Sequence, residues 1–172
     1  MANELYTRTN QKIFYAGLAL ESWRKAEESR AINAQGLVQA EREAALFHLF
    51  GAVLGLCHEI AGYYRLANSQ STRIEVLLDA SMLEAAPSPE FSELIELAAN
   101  PETWLAQLLE AYKNLHKPPQ MPHKAKVDPA TPLIVAVSID HEPELLERET
   151  LEAWRKDITA LARRFRETLS EW

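Results

Sequence analysis

Arg42, Glu43 and His48 stand in the run Arg42-Glu43-Ala44-Ala45-Leu46-Phe47-His48. A histidine exchanges protons near neutral pH, and an arginine holds phosphate with a planar fork of donors. Six positions separate Arg42 from His48, with Glu43 as the polar neighbour. Other chemistries lack their residues. A carboxylate–histidine metal site in a helical bundle needs Glu three residues ahead of His. Those positions hold Ala45, Gly55, Lys113, Gln120 and Ser138. There is no HExxH, no glycine-rich phosphate loop and no Gly-x-Ser-x-Gly elbow. No metal ligand and no cofactor is therefore expected. Cys57, the single cysteine, can form neither an internal disulfide nor a cysteine-rich zinc site. Its neighbour His58 points about 100° away on a helix, which spoils a nucleophile–base pair.

The Arg42–His48 run resembles the active motif of HEPN-type ribonucleases, small helical bundles that usually dimerise to bring two motifs together on RNA. The resemblance implies acid–base work for His48, phosphate support for Arg42 and positioning for Glu43. It covers seven residues. The run lies on the second helix, whereas the family's motif usually lies late in its domain, and Glu43 would repel the phosphate that Arg42 should hold. Eleven arginines and five histidines also give about one such spacing by chance. An RNA-cleaving enzyme is thus the second reading. A third is a small-ligand binder in a gap of the helix core beside Gly51, Gly55 and His58. Lys117, His123, Lys124 and Lys126 read as solvated linker charges, since no aromatic platform accompanies them. Trp172 and Phe165 continue the apolar stripe of the last helix and are candidate interface residues.

Long helices must position these groups. A first helix over 4–30 carries Tyr6, Ile13, Ala16, Leu20 and Trp23 on one stripe. A second, from Asn33 to about Asn68, has two stripes. One is Leu37, Ala40, Ala44, Phe47, Gly51, Leu54, His58 and Ala61; the other is Leu46, Leu49, Phe50, Val53, Leu56 and Ile60. A helix so widely apolar is expected to be buried on more than one side. Thr72 and Glu75 have the spacing of a capping box for a short helix to Leu83. Ser88-Pro89 and Asn100-Pro101 each read as a helix start. Residues 117–132 hold five prolines and form an extended linker. Residues 133–139 are β-like without a visible partner strand and read as a strap, so 117–141 is linker and strap. Residues 142–171 form the last helix, with Leu151, Trp154, Ile158, Leu161, Phe165, Thr168 and Trp172 on its apolar side. Acids at its start and Arg163, Arg164 and Arg166 near its end suit the helix dipole.

The 172 residues are 47% hydrophobic and 25% charged, which fits one globular domain over 1–172. The expected fold class is all-α: a helical bundle built on the long N-terminal hairpin, with the C-terminal helix packed on it. A net charge of −7 disfavours nucleic acid as a partner. Residues 1–12 lack a secretory signal's character, and the longest unbroken apolar run in 44–64 is nine residues, Leu49–Cys57. That falls short of the roughly 18 needed to span a bilayer. A cytoplasmic protein without a membrane anchor is expected. The opening MANELYTRTNQKIFYAGLALESW with the alanine-rich second helix resembles a small uncharacterised bacterial family of helical proteins; the likeness extends over most of the chain and transfers no activity. The first reading is a non-enzymatic protein acting through protein–protein contact, with a protein partner or as a homodimer.

Overall fold

The computed structural model describes residues 2–118 and 146–170. Seven helices and no strand occur among them: α1 Ala2–Glu28, α2 Ala34–Tyr63, α3 Ile74–Leu77, α4 Ser81–Ala85, α5 Pro89–Ala99, α6 Trp104–Asn114 and α7 Arg148–Ser170. Helices α1 and α2 form an antiparallel hairpin, and α7 lies against both. The fold is the all-α bundle expected. Helix α2 is its centre, touching α1, α3, α5, α6 and α7.

The hairpin is tight because α2 is notched. A Cβ on Gly55 would stand 2.7 Å from Thr9 Oγ1 and 3.3 Å from Thr9 Cα, so only glycine lets α1 come this close. Glycine inside a helix costs about 1 kcal/mol relative to alanine. The contact offsets that cost by burying Thr9 completely, its hydroxyl turned back to the Leu5 carbonyl at 3.4 Å. The core proper is Trp23, Leu49, Val53, Leu56 and Ile60 from the hairpin, Phe91 and Leu94 from α5, Leu105 and Leu108 from α6, and Leu151 and Ile158 from α7. Each buried Leu or Ile contributes roughly 1.5–3 kcal/mol of hydrophobic free energy. On α7 the buried stripe runs Leu151, Trp154, Ile158, Leu161, Phe165 and then Leu169, while Thr168 is exposed. The drift follows from 3.6 residues per turn against a seven-residue reading.

Helix ends correct four expectations. Helix α2 stops at Tyr63, short of Asn68, because Arg65 turns left-handed at φ 54. The N–H of Leu66 then reaches the Ala61 carbonyl at 2.9 Å and that of Arg65 the Gly62 carbonyl at 3.2 Å, a Schellman termination. The Thr72–Glu75 capping box does not form. Arg73 stands at the N-cap of α3 without a side-chain cap bond, and the single expected helix is the two short ones, α3 and α4. At Asn100-Pro101 the Asn100 side chain accepts the Glu102 N–H at 3.0 Å, making a turn, and α6 starts three residues later. There Thr103 Oγ1 caps the Ala106 N–H at 3.3 Å. Ser88 does cap α5, accepting the Phe91 N–H at 3.3 Å, with Pro89 at the first helical position. The strap at 133–139, most of the proline-rich linker and residues 142–145 of the last expected helix lie outside the described residues.

Candidate functional site

Arg42 and His48 share α2 but not a neighbourhood. Six residues on a helix separate side chains by about 120° around the axis and roughly 9 Å along it. Arg42 Nε–H donates to the Leu146 carbonyl at 3.1 Å, and its guanidinium lies 4.8 Å above the Trp23 ring. Trp23 Nε1–H in turn donates to Glu27 at 2.6 Å, and Glu27 pairs with Arg148 at 3.3 Å. Arg42 thereby ties α1, α2 and the start of α7 together. With Glu43 it also borders an open groove of about 720 Å³ whose far wall is α6, with Gln107, Glu110 and Asn114.

His48 packs instead among rings, 5.4 Å from Tyr15 and 5.3 Å from Phe47. Its Nδ1 is buried without a hydrogen-bond partner. Burial first, then the charges of Lys12 and Arg8, hold its pKa below the ordinary 6.5, so the ring is neutral at physiological pH. One chain therefore does not assemble Arg42, Glu43 and His48 into one constellation.

The glycines behind the ligand reading line a helix contact. Thr9 fills the space over Gly55, and the Lys12 methylenes sit 3.1 Å from where a Gly51 Cβ would be. His58 Nε2–H donates to the Ser71 carbonyl at 2.7 Å and fastens the loop after α2. Cys57 is fully buried, and burial pushes its thiol up to about 12, which makes it a packing residue. Among the described residues no group of three or more His, Cys, Asp or Glu could hold a metal ion. Phe165 is inside the core, its side chain engaged by this chain's own packing. Lys117 pairs with Glu110 at 3.0 Å. Trp172, His123, Lys124 and Lys126 lie outside the described residues.

Two features escape sequence reasoning. Arg166, read as helix-end charge, forms a two-pronged ion pair with Glu59 at 2.8 Å on both arms. The second is the outward face of the hairpin. Of the two α2 stripes, Leu46, Leu49, Val53, Leu56 and Ile60 are buried, while Leu37, Ala40 and Phe47 are exposed and Ala44, Gly51 and Leu54 half-exposed. Helix α2 is buried on more than one side, as expected, and the described helices leave this stripe open. Phe47 is 49% exposed, and Phe14 and Leu18 on α1 are 61% and 52% exposed. The rings run on from Phe47 and His48 through Tyr15 to Phe14, 6.3 Å beyond. Under this surface lies Lys12, only 8% exposed, its Nζ 4.6 Å above the Phe47 ring. Periodicity marks such a stripe as apolar but carries no signal about which neighbour covers it. Helix α2 is also long and apolar enough to cross a membrane, with most of its apolar window buried against the other helices.

Fold and site together define an all-α bundle whose central helix carries one apolar stripe left open by the other described helices. The whole chain, residues 1–172, matches the profile of a family of unknown function, DUF6586, and belongs to that family. No curated protein and no solved structure matches it.

Proposed function

We propose that this is a non-enzymatic bacterial protein that works in the cytoplasm through protein–protein contact, using the outward face of the α1–α2 hairpin. The observation that carries the reading is the exposure of Phe14, Leu18, Leu37 and Phe47. Large apolar side chains left exposed are characteristic of interaction sites. The net charge of −7 supports a protein rather than a polyanion as the partner. The structural engagement of Arg42 by Trp23 and Leu146 favours this reading over RNA cleavage, which would need that arginine released. The bacterial source rests on the likeness of the N-terminal sequence, and the cytoplasmic placement on a buried, unpaired thiol and an apolar α2 largely covered by its own chain.

The test is recovery of bound protein and RNA on tagged wild type, Phe47→Glu and His48→Ala from host lysate, with and without nuclease. A near-stoichiometric protein retained by wild type and His48→Ala but lost from Phe47→Glu is expected. RNA held more strongly by His48→Ala than by wild type would overturn the reading in favour of a nuclease.

A further inference from the structure

Lys12 is 8% exposed as a residue, its stem packed along α2 and its ammonium set over an aromatic face. Its Nζ sits over Phe47, and among the described residues no carboxylate pairs with it. The charge of Arg8 lies close by and no described carboxylate balances the Lys12 ammonium, so a partner that brings a carboxylate is favoured. Glu43, one helical turn before Phe47, is exposed and makes no ion pair or hydrogen bond with a described residue. Gly51, one turn after Phe47, is where the Lys12 side chain crosses α2.

These positions are self-complementary. In an antiparallel pair of α2 helices related by a two-fold axis at Phe47, each residue before Phe47 meets the one equally far after it in the other copy. Glu43 then faces Gly51 of the partner subunit and with it the partner subunit's Lys12, twice per dimer. Ala40 faces Leu54 of the partner subunit. The stripe Leu37, Ala40, Ala44, Phe47, Gly51 and Leu54 alternates by three and four, the spacing of a helix–helix seam. Ala40 and Ala44, both small, leave room for a close approach beside the central phenylalanine.

We infer that the partner of the hairpin face is a second copy of this chain, joined through antiparallel α2 helices centred on Phe47, with Glu43 of each copy paired to Lys12 of the other. The inference rests on the protein-contact reading and names its partner. A heterologous protein or an anionic lipid surface are the competing occupants.

The mass of the purified full chain, by light scattering during size exclusion at about 100 µM, separates them. Wild type is expected at twice 19.5 kDa. Phe47→Glu, at a half-exposed position that leaves the core intact, is expected at monomer mass with unchanged helical circular dichroism. Glu43→Lys is expected to weaken the dimer at least tenfold by setting lysine against lysine, and Glu43→Lys with Lys12→Glu to restore it. Should the Lys12 variant fold poorly, an equimolar mixture of Glu43→Lys and wild type recovers an intermediate affinity instead. A dimer indifferent to Phe47→Glu, or no rescue in both the double variant and the mixture, overturns the inference. A monomeric wild type overturns it too. If that monomer still captures a Phe47-dependent host protein, the protein-contact reading survives without this partner. If it binds phosphatidylglycerol vesicles through Phe47 and captures no protein, both fall.

Discussion

Arg166 of α7 grips Glu59 of α2 with two parallel hydrogen bonds of 2.8 Å, and the Glu59 side chain is only 1% exposed. The same guanidinium donates to Asn10 at 2.9 Å and lies 4.9 Å over the Tyr6 ring, so one side chain joins three helices. Glu59 and its hydrogen bonds hold the Arg166 pKa above the ordinary arginine value, which keeps the guanidinium charged at any working pH. A paired charge of this kind gives geometry as much as energy, because the fork fits only one arrangement of α2 and α7.

Removing Arg166 strands Glu59. Arg166→Ala is expected to cost about 3 kcal/mol, lowering Tm by roughly 6–12 °C for a chain of this size. Arg166→Met combined with Glu59→Gln should cost less than Arg166→Ala alone, because no buried charge is left unpaired. Thermal melts of the two proteins check this, and equal losses would mean the clasp is not acting as a pair.

Two glycines of α2 should answer alanine with opposite signs. Gly55→Ala drives a methyl into the Thr9 backbone and should destabilise by about 1–3 kcal/mol. Gly36 has nothing within 4 Å, so Gly36→Ala adds helix propensity and should stabilise by up to about 1 kcal/mol. Urea unfolding of the pair measures the difference. Similar values would contradict the close approach of α1 at Gly55.

Arg65 holds a left-handed conformation at φ 54, which a side chain disfavours by about 1 kcal/mol or more. Arg65→Gly should therefore stabilise the end of α2, by about 1 kcal/mol less the extra entropy glycine carries in the unfolded chain. A denaturation midpoint below that of wild type would show that the Arg65 side chain contributes something its conformation does not reveal.

The environment of His48 predicts a pH dependence. The groups around it are Lys12 and Arg8, both cationic, and the rings of Tyr15 and Phe47. Its folded pKa lies below its unfolded value near 6.5, so the unfolded chain binds the proton first. The stability this residue contributes is present above about pH 6.5 and lost as pH falls through the folded pKa. Urea midpoints of wild type should drop more steeply below that pH than those of His48→Phe, which cannot titrate. Parallel curves for the two would contradict the assignment.

Much of this architecture is legible in the residue pattern. The hairpin, the α7 stripe through Phe165 and the Ser88-Pro89 start follow from periodicity and from capping chemistry, both local. What was not legible depends on partners far along the chain. Arg166 lies 107 positions from Glu59, and its neighbours Arg163 and Arg164 look alike in sequence. Arg163 pairs within its own helix with Glu167, and Arg164 reaches Glu93 on α5. The left turn at Arg65 gave no warning because arginine is not a usual left-handed residue. The stripe of α2 was visible as apolar, but only the placement of the other described helices shows that they leave this side open. The Arg42–His48 spacing was visible too, and the helix sends its two ends to different neighbours.

Cross-linking at the inferred two-fold axis tests the central claim most directly. Antiparallel helices meeting at residue 47 bring those positions within disulfide reach, for which Cα atoms must lie within about 7 Å. Cys57 is buried and takes no part. Under mild oxidation Phe47→Cys is expected to become a covalent dimer rapidly and nearly completely, while Leu18→Cys, exposed on α1, stays largely monomeric. Equal, slow cross-linking of the two variants, or none at residue 47, would contradict a dimer built on α2.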